Sequence, residues 1–236
     1  MDDRKNGRKQ DIKAAFLDTL PVLAGYLFLG VGFGVLLETK GYNAWWALFI
    51  SVTCYSGSMQ YVAVNLLAGG AGFLTTAVTT LMVQARHLFY GISLLEKYKN
   101  VGRIKPYLIF ALTDETYSLV CSEASGWRAA NKNRYFFLVS LMDQLYWITG
   151  CVLGAVLGAV ISFNSEGIDF VLTALFITIF VEQWLGNADH RPALIGVGIS
   201  VVCLVLFGEN FLIPAMALIM TSLLLMRKWG KERGCD

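Results

Sequence analysis

The stretch that decides the fold is Gly41 to Ala85, GYNAWWALFISVTCYSGSMQYVAVNLLAGGAGFLTTAVTTLMVQA, which contains no charged residue. About 20 apolar residues span a bilayer as a helix, so this run is long enough to cross about twice. Arg86-His87 follows it directly, and apolar residues then continue to Leu95. An arginine and a histidine inside apolar sequence are costly unless something pairs with them or water reaches them. The chain therefore reads as a membrane protein, and Arg86-His87 marks a place to look for function.

The same pattern recurs along the chain. Gln144 to Ser165, Pro192 to Gly208 and Asn210 to Met226 carry no charge, and the 236 residues are 56% hydrophobic and 15% charged. Continuous apolar runs of this length indicate helices, because a transmembrane barrel shows short alternating segments instead. The expected fold class is all-α: a polytopic transmembrane helical protein with about seven to eight membrane segments, with room for broken or re-entrant helices. The segments read as 16–37, 43–68, 72–95, 106–124, 135–162, 169–186, 192–207 and 210–227. The fourth is the weakest, because Asp114, Glu115 and Glu123 fall in it.

No linker divides the chain, so one transmembrane domain over 16–228 is expected. A basic tail with an interfacial lead-in (1–15) would precede it, and a second basic tail (229–236) would follow. Ile12, Phe16, Leu17 and Leu20 recur at helical spacing, and Pro21 would stand near the start of the first membrane helix, where proline is tolerated. Arg4, Lys5, Arg8, Lys9 and Lys13 before the first span, and Arg227, Lys228, Lys231 and Arg233 after the last, place both termini in the cytoplasm by the positive-inside tendency.

The loops test this topology. Arg128, Lys132 and Arg134 suit the same side as the N-terminus, whereas Lys97, Lys99, Arg103 and Lys105 would fall on the other side in an eight-span arrangement. An even number of crossings must separate the N-terminus from Arg128. It is either four, or two with the remaining segments re-entrant, which requires protein or a water-filled cavity to satisfy the backbone.

Four constellations can carry chemistry. Tyr55-Ser56-Gly57-Ser58-Met59-Gln60 lies inside span two, where glycine and serines favour local unwinding of a helix. Exposed helix ends there suit a zwitterion, although close helix–helix contact accounts for small residues equally well. Arg86 must meet an acid, a carbonyl fork or an anionic substrate, or else extend to an interface. His87 titrates near neutral pH.

Thr113-Asp114-Glu115-Thr116 offers two carboxylates on different sides of a helix, one to pair with Arg86 and one to carry a proton. Asp143 stands inside a fifth apolar segment, and Glu182 lies near a membrane end as an interface anchor. Each of these acids also fits a purely structural salt bridge. The cysteines at 54, 121, 151, 203 and 235 have no metal-site or disulfide spacing. No catalytic, nucleotide-binding or metal motif is present, so no enzyme, cofactor or metal is expected.

The strings Gly25-Tyr26-Leu27-Phe28-Leu29-Gly30-Val31-Gly32-Phe33-Gly34, Tyr55-Ser56-Gly57-Ser58-Met59-Gln60-Tyr61, Arg86-His87-Leu88-Phe89-Tyr90-Gly91 and Ala111-Leu112-Thr113-Asp114-Glu115-Thr116 resemble the AzlC family of branched-chain amino acid permeases. Asp169 to Phe176 continues the resemblance, which covers about residues 12 to 228. It implies the large subunit of a bacterial cytoplasmic-membrane exporter of branched-chain amino acids or analogues such as methionine. It also implies a small hydrophobic partner of AzlD type.

Joined to the residues, this gives substrate binding by Ser56, Gly57, Ser58, Gln60 and Arg86, and proton coupling by His87, Asp114, Glu115 and Asp143. Phe33, Met59, Phe89 and Tyr117 are the expected apolar walls. A passive facilitator, and an accessory subunit without its own path, remain open alternatives. Family members often carry Ala-Gly-Ser-x-Gln where this chain has Ser56-Gly57-Ser58-Met59-Gln60, and often Asn before the Arg-His where it has Gln84-Ala85; both departures bear on substrate choice.

Overall fold

Two long helices organise the protein. In the computed structural model, which describes residues 2–121, 126–160 and 190–208 with isolated positions between 173 and 222, α1 is Asp2–Thr39 and α8 is Lys132–Val160. Between them lie α2 (Ala44–Thr53), α3 (Gly57–Ala68), α4 (Phe73–Val83), α5 (Ala85–Ser93), a 3-10 turn (Gly102–Ile104), α6 (Lys105–Phe110) and α7 (Asp114–Cys121). All regular structure among the described residues is helical. Residues 1–172 form one compact unit and 173–236 another; in the second, α9 is Arg191–Phe207. The segments expected over 169–186 and 210–227 fall largely outside the described residues, and the tail 229–236 falls wholly outside them.

The lead-in and the first membrane helix are one continuous helix, not two pieces meeting at Pro21. Thirty-eight residues at about 1.5 Å each make α1 roughly 57 Å long, well beyond a hydrocarbon core of about 30 Å. A proline inside a helix forfeits one backbone hydrogen bond. Packing along α8 offsets that loss.

α1 and α8 run parallel. Thr19 meets Tyr146, Tyr26 meets Trp147, Gly30 meets Gly150 and Gly158 meets Glu38. Small residues at four-residue spacing on both helices (Gly30, Gly34; Gly150, Gly154) let the backbones touch, which is how helices associate where no hydrophobic drive exists between them. A Cβ on Gly30 would lie 2.9 Å from the Cys151 nitrogen, and one on Gly150 would lie 2.9 Å from the Tyr26 carbonyl oxygen.

A polar clamp joins the starting ends of the two helices. Buried Asp11 accepts the backbone N–H groups of Ala130 (2.7 Å) and Asn131 (3.0 Å) and pairs with Arg134 (3.0 Å). Asp18 accepts the Tyr135 hydroxyl at 2.7 Å, and the Gln10 amide donates to the Arg128 carbonyl at 2.9 Å. The Arg134 side chain is 42% exposed, so the ion pair itself adds little; the two amide bonds dominate. Asp11→Ala is expected to cost about 1–3 kcal/mol for each orphaned amide, seen as a lower melting midpoint in detergent. Asp11→Asn, which keeps an acceptor oxygen, should retain most of the stability.

The segments between the long helices are broken, as the sequence allowed. α1 ends in a Schellman turn: the Tyr42 N–H reaches the Leu37 carbonyl, the Gly41 N–H reaches that of Glu38, and Gly41 has φ +86°. Asn43 then caps α2. α2 descends to an interruption at Cys54-Tyr55-Ser56. α3 climbs back beside α1, where the Tyr61 hydroxyl donates to the Leu29 carbonyl at 2.7 Å and its ring meets Phe33.

α4 and α5 are separated only by Gln84. α6 enters beside the first half of α8, with the Tyr107 hydroxyl donating to Gln144 at 2.8 Å, and stops at Ala111. α7 returns, so that Val120 packs with Ala14, Ala15, Leu94, Tyr98, Val101, Tyr135 and Phe136 in one buried cluster. Both hairpins, α2–α3 and α6–α7, thus dip inward and return to the end they left.

This arrangement explains the basic loop that seemed misplaced. Tyr98 and Val101 are buried with Ala14, Ala15 and Tyr135, and Lys97 lies over the Phe136 ring at 5.7 Å. Lys97 to Lys105 is therefore at the same end as the N-terminus and Arg134. A hairpin that returns does not change sides, so only the α4–α5 passage separates α1 from that loop. Phe28, Trp45 and Leu74 are among the large apolar side chains left exposed, as on a lipid-facing surface.

Candidate functional site

The three interruptions converge at the level of Tyr26 and Trp147. At the first, buried Gln60 holds the gap closed: its amide N–H donates to the Cys54 carbonyl (2.6 Å), and its amide oxygen accepts the Trp147 indole N–H (2.9 Å). The Trp147 ring packs on Gly57, where a Cβ would stand 3.0 Å from it. Ser56 occupies the N-cap of α3 without bonding the helix; its hydroxyl instead donates to Gln84 Oε1 at 2.8 Å. The first interruption is thereby tied to the second.

The third interruption is tied to α1. Thr113 caps α7 by accepting the Thr116 N–H at 3.2 Å. Its hydroxyl is also 2.6 Å from the Tyr26 hydroxyl, which reaches Glu115 Oε2 at 2.7 Å. Thr116 donates to Asp143 Oδ2 at 2.7 Å, and Asp143 Oδ1 is buried without a hydrogen-bond partner.

A cavity of about 800 Å³ opens between these elements. Its polar lining is Thr53, Tyr55, Thr76, Thr80, Gln84 and His87, and its apolar wall is Phe73, Ala77, Leu81, Ile109, Phe110 and Leu112. Thr53, Cys54 and Tyr55 stand at the C-terminus of α2, Gln84 at that of α4, and Phe110 and Leu112 at that of α6. The C-terminal ends of three helices therefore border one space. Such ends carry partial negative charge, and α5 starts at the same Gln84 with its partial positive end, so the space offers partners to both charges of a zwitterion.

The expected site residues divide accordingly. His87 lines the cavity, with its ring edge-on to Tyr90 at 5.9 Å. Ser56 reaches the cavity through Gln84. Gly57, Ser58 and Gln60 are packed behind the wall, the last two buried. Asp114 and Glu115 form the first turn of α7 and are half-buried; Asp143 is fully buried. The side chains of Arg86 and Phe89, and all of Glu182, lie outside the described residues, so the expected pairing of Arg86 with one of Asp114 and Glu115 lies outside them too.

The expected walls are elsewhere: Phe33 and Met59 are buried, and Tyr117 stacks on Tyr90 at 4.5 Å. Sequence reading gave no site role to Tyr26, Tyr55, Thr113, Thr116 or Trp147, and met Gln84 only as a departure from the family pattern. Gln84 carried a signal, as a lone amide between the apolar halves of one segment. Thr113 and Thr116 bracket the two acids.

The model of the AzlC protein family matches residues 21–161, which include the cavity and the whole polar cluster from Tyr26 to Asp143. The chain is 44% identical to the branched-chain amino acid transport protein AzlC of Bacillus subtilis, over 92% of this chain and 85% of that one. It is 41% identical to an uncharacterized membrane protein of Helicobacter pylori, over 92% and 95%, and 38% identical to one of Haemophilus influenzae, over 86% and 84%. No solved structure matches. On a family match across more than half its length and these close relatives, the chain is a membrane protein that belongs to the AzlC family.

Proposed function

We propose that the chain is a secondary transporter that moves branched-chain amino acids, or close analogues such as methionine, with the cavity between α2, α4 and α6 as its substrate site. Membership in a family with a named transport protein makes it a transport protein and not an enzyme. One observation carries the site: three helix C-termini and an apolar wall share a cavity of about 800 Å³. The helix ends and Gln84 suit the substrate ammonium, and Phe73, Leu81, Ile109 and Phe110 suit an aliphatic side chain. Ser56 orients Gln84, Gly57, Ser58 and Gln60 hold the interruption, Arg86 is assigned to the carboxylate, and His87 at the cavity wall is assigned to proton coupling.

The reading extends to coupling and direction. Asp114, Glu115 and Asp143 carry the proton that drives export, and a small AzlD-type subunit completes the transporter. Lys97, Lys99, Arg103, Lys105, Arg128, Lys132 and Arg134 share the end that holds the N-terminus, which supports a cytoplasmic assignment for it. Residues 16–228 form the transporter domain between cytoplasmic tails at 1–15 and 229–236, in the bacterial cytoplasmic membrane.

Counterflow of labelled leucine in membrane vesicles, with and without the small subunit and across a pH step, tests this. Labelled leucine should accumulate against excess unlabelled leucine and should respond to the pH step. Glu115→Gln or Asp143→Asn should lower the pH-driven flux by about 100-fold while counterflow persists. Unchanged pH-driven flux in both variants refutes the coupling assignment.

A further inference from the structure

We propose that Tyr26, Thr113 and Thr116 form a proton wire that joins Glu115 to Asp143. The proposal rests on the assignment of those two acids to coupling and names the path between them. Four links connect the carboxyl groups: Glu115 to Tyr26 at 2.7 Å, Tyr26 to Thr113 at 2.6 Å, Thr113 to Thr116 at 3.1 Å and Thr116 to Asp143 at 2.7 Å. Each lies within ordinary hydrogen-bond range. The chain draws on α1, on the cap and first turn of α7, and on α8. Leu112, next to Thr113, lines the substrate cavity, as does Tyr55, which faces Tyr26.

Proton counting gives the chain its function. Three hydroxyls supply three protons for four links, since each hydroxyl has a single O–H. With both carboxylates ionised, one link has no proton. One added proton on either carboxyl group completes all four.

With the proton on Glu115, Glu115 donates to Tyr26, Tyr26 to Thr113, Thr113 to Thr116 and Thr116 to the Asp143 carboxylate. Four concerted transfers break one O–H bond at each donor and form one at each acceptor. They leave Glu115 ionised, Asp143 protonated and the three hydroxyls reversed. No group between the acids changes its charge.

The other titratable groups that face this chain are Tyr55 from the first interruption, Tyr107 from α6, Asp114 from α7 and Tyr135 from α8. A hydroxyl donated by Tyr55 to Tyr26 adds one proton and one link, so the deficit of one persists. Buried Asp143 Oδ1, which has no hydrogen-bond partner, adds no competing link.

The test uses membrane vesicles from cells that make the full chain, with labelled leucine as probe. pH-driven flux and leucine–leucine exchange at constant pH are measured side by side. Tyr26→Phe and Thr116→Val each remove one hydroxyl, and with it two links, and keep the shape of the side chain, whereas Thr116→Ser keeps the hydroxyl. The first two should lose pH-driven flux about 100-fold with exchange kept within about three-fold, and Thr116→Ser should behave as the unaltered protein.

If Tyr26→Phe and Thr116→Val keep pH-driven flux while Glu115→Gln and Asp143→Asn lose it, the wire is wrong and the coupling assignment stands. If the two acid variants keep it as well, the coupling assignment falls and takes the wire with it. Equal loss of flux and exchange in Tyr26→Phe and Thr116→Val means a structural role and overturns the wire.

Discussion

Gly34→Ala and Gly154→Ala are each expected to remove a large share of the folding stability and to lower the melting midpoint sharply. A Cβ on Gly34 would overlap the Cys151 carbonyl oxygen and the Ala155 nitrogen, and one on Gly154 would overlap the Val31 backbone. Flexible side chains can turn away from an intruding methyl; backbone atoms cannot. Relief requires α1 and α8 to move apart along the contact that carries the clamp at Asp11 and the site at Tyr26. Overpacking that forces backbone shifts costs on the order of 3 kcal/mol, against a total stability of about 5–15 kcal/mol.

The control lies on the same helix. Among the described residues nothing lies within 4 Å of the Gly25 Cβ position, so Gly25→Ala meets no obstacle there and gains about 0.5–1 kcal/mol from helix propensity. Melting midpoints in detergent, followed by size-exclusion chromatography, separate the two cases. Equal midpoints for Gly25→Ala and Gly34→Ala would sink the close-contact account.

The second large effect is expected at Gln60. This residue is fully buried, and its amide bonds two groups: the Cys54 carbonyl at the end of α2 and the Trp147 indole N–H. Gln60→Leu is close in size, so packing changes little and the polar groups decide the outcome. The Trp147 N–H left buried and unpaired costs about 1–3 kcal/mol, while the Cys54 carbonyl keeps the Ser56 N–H at 2.8 Å, so the variant should lose roughly 1–3 kcal/mol.

It should also lose leucine counterflow, because the interruption that places Cys54 and Tyr55 at the cavity is no longer held. Adding Trp147→Phe removes the orphaned donor. The double variant should therefore lose less than the sum of the two single changes. A simple sum, or more, contradicts the clamp.

How far the site was legible depended on the kind of information each residue carries. Ser56-Gly57-Ser58 announced a helix interruption because glycine and serine weaken a helix wherever they stand together, and the interruption is there. Asp114, Glu115 and Asp143 announced themselves because ionisable groups in apolar sequence are rare and costly. His87 was found on the same ground.

Tyr26, Thr113 and Thr116 could not announce themselves. A tyrosine or threonine is unremarkable in a membrane helix until a partner stands within hydrogen-bond distance. Gln60 was identified correctly as a special polar residue, yet its amide satisfies the protein itself and is packed behind the cavity wall. The apolar wall was misplaced on Phe33, Met59 and Tyr117, because apolar side chains look alike in sequence whether they face a neighbour or a cavity.

The sequence by itself determined the membrane class, the helical content, the weak points in the helices and the family. All of these follow from composition and local pattern: lack of charge over twenty residues, glycine beside serine, and short strings in a characteristic order. The tertiary structure alone decided that α2–α3 and α6–α7 return to the end they left, that Lys97–Lys105 shares that end with Arg134, and that residues as distant as Tyr26, Glu115 and Asp143 form one hydrogen-bonded chain. Those facts depend on direction and distance between segments far apart in the chain.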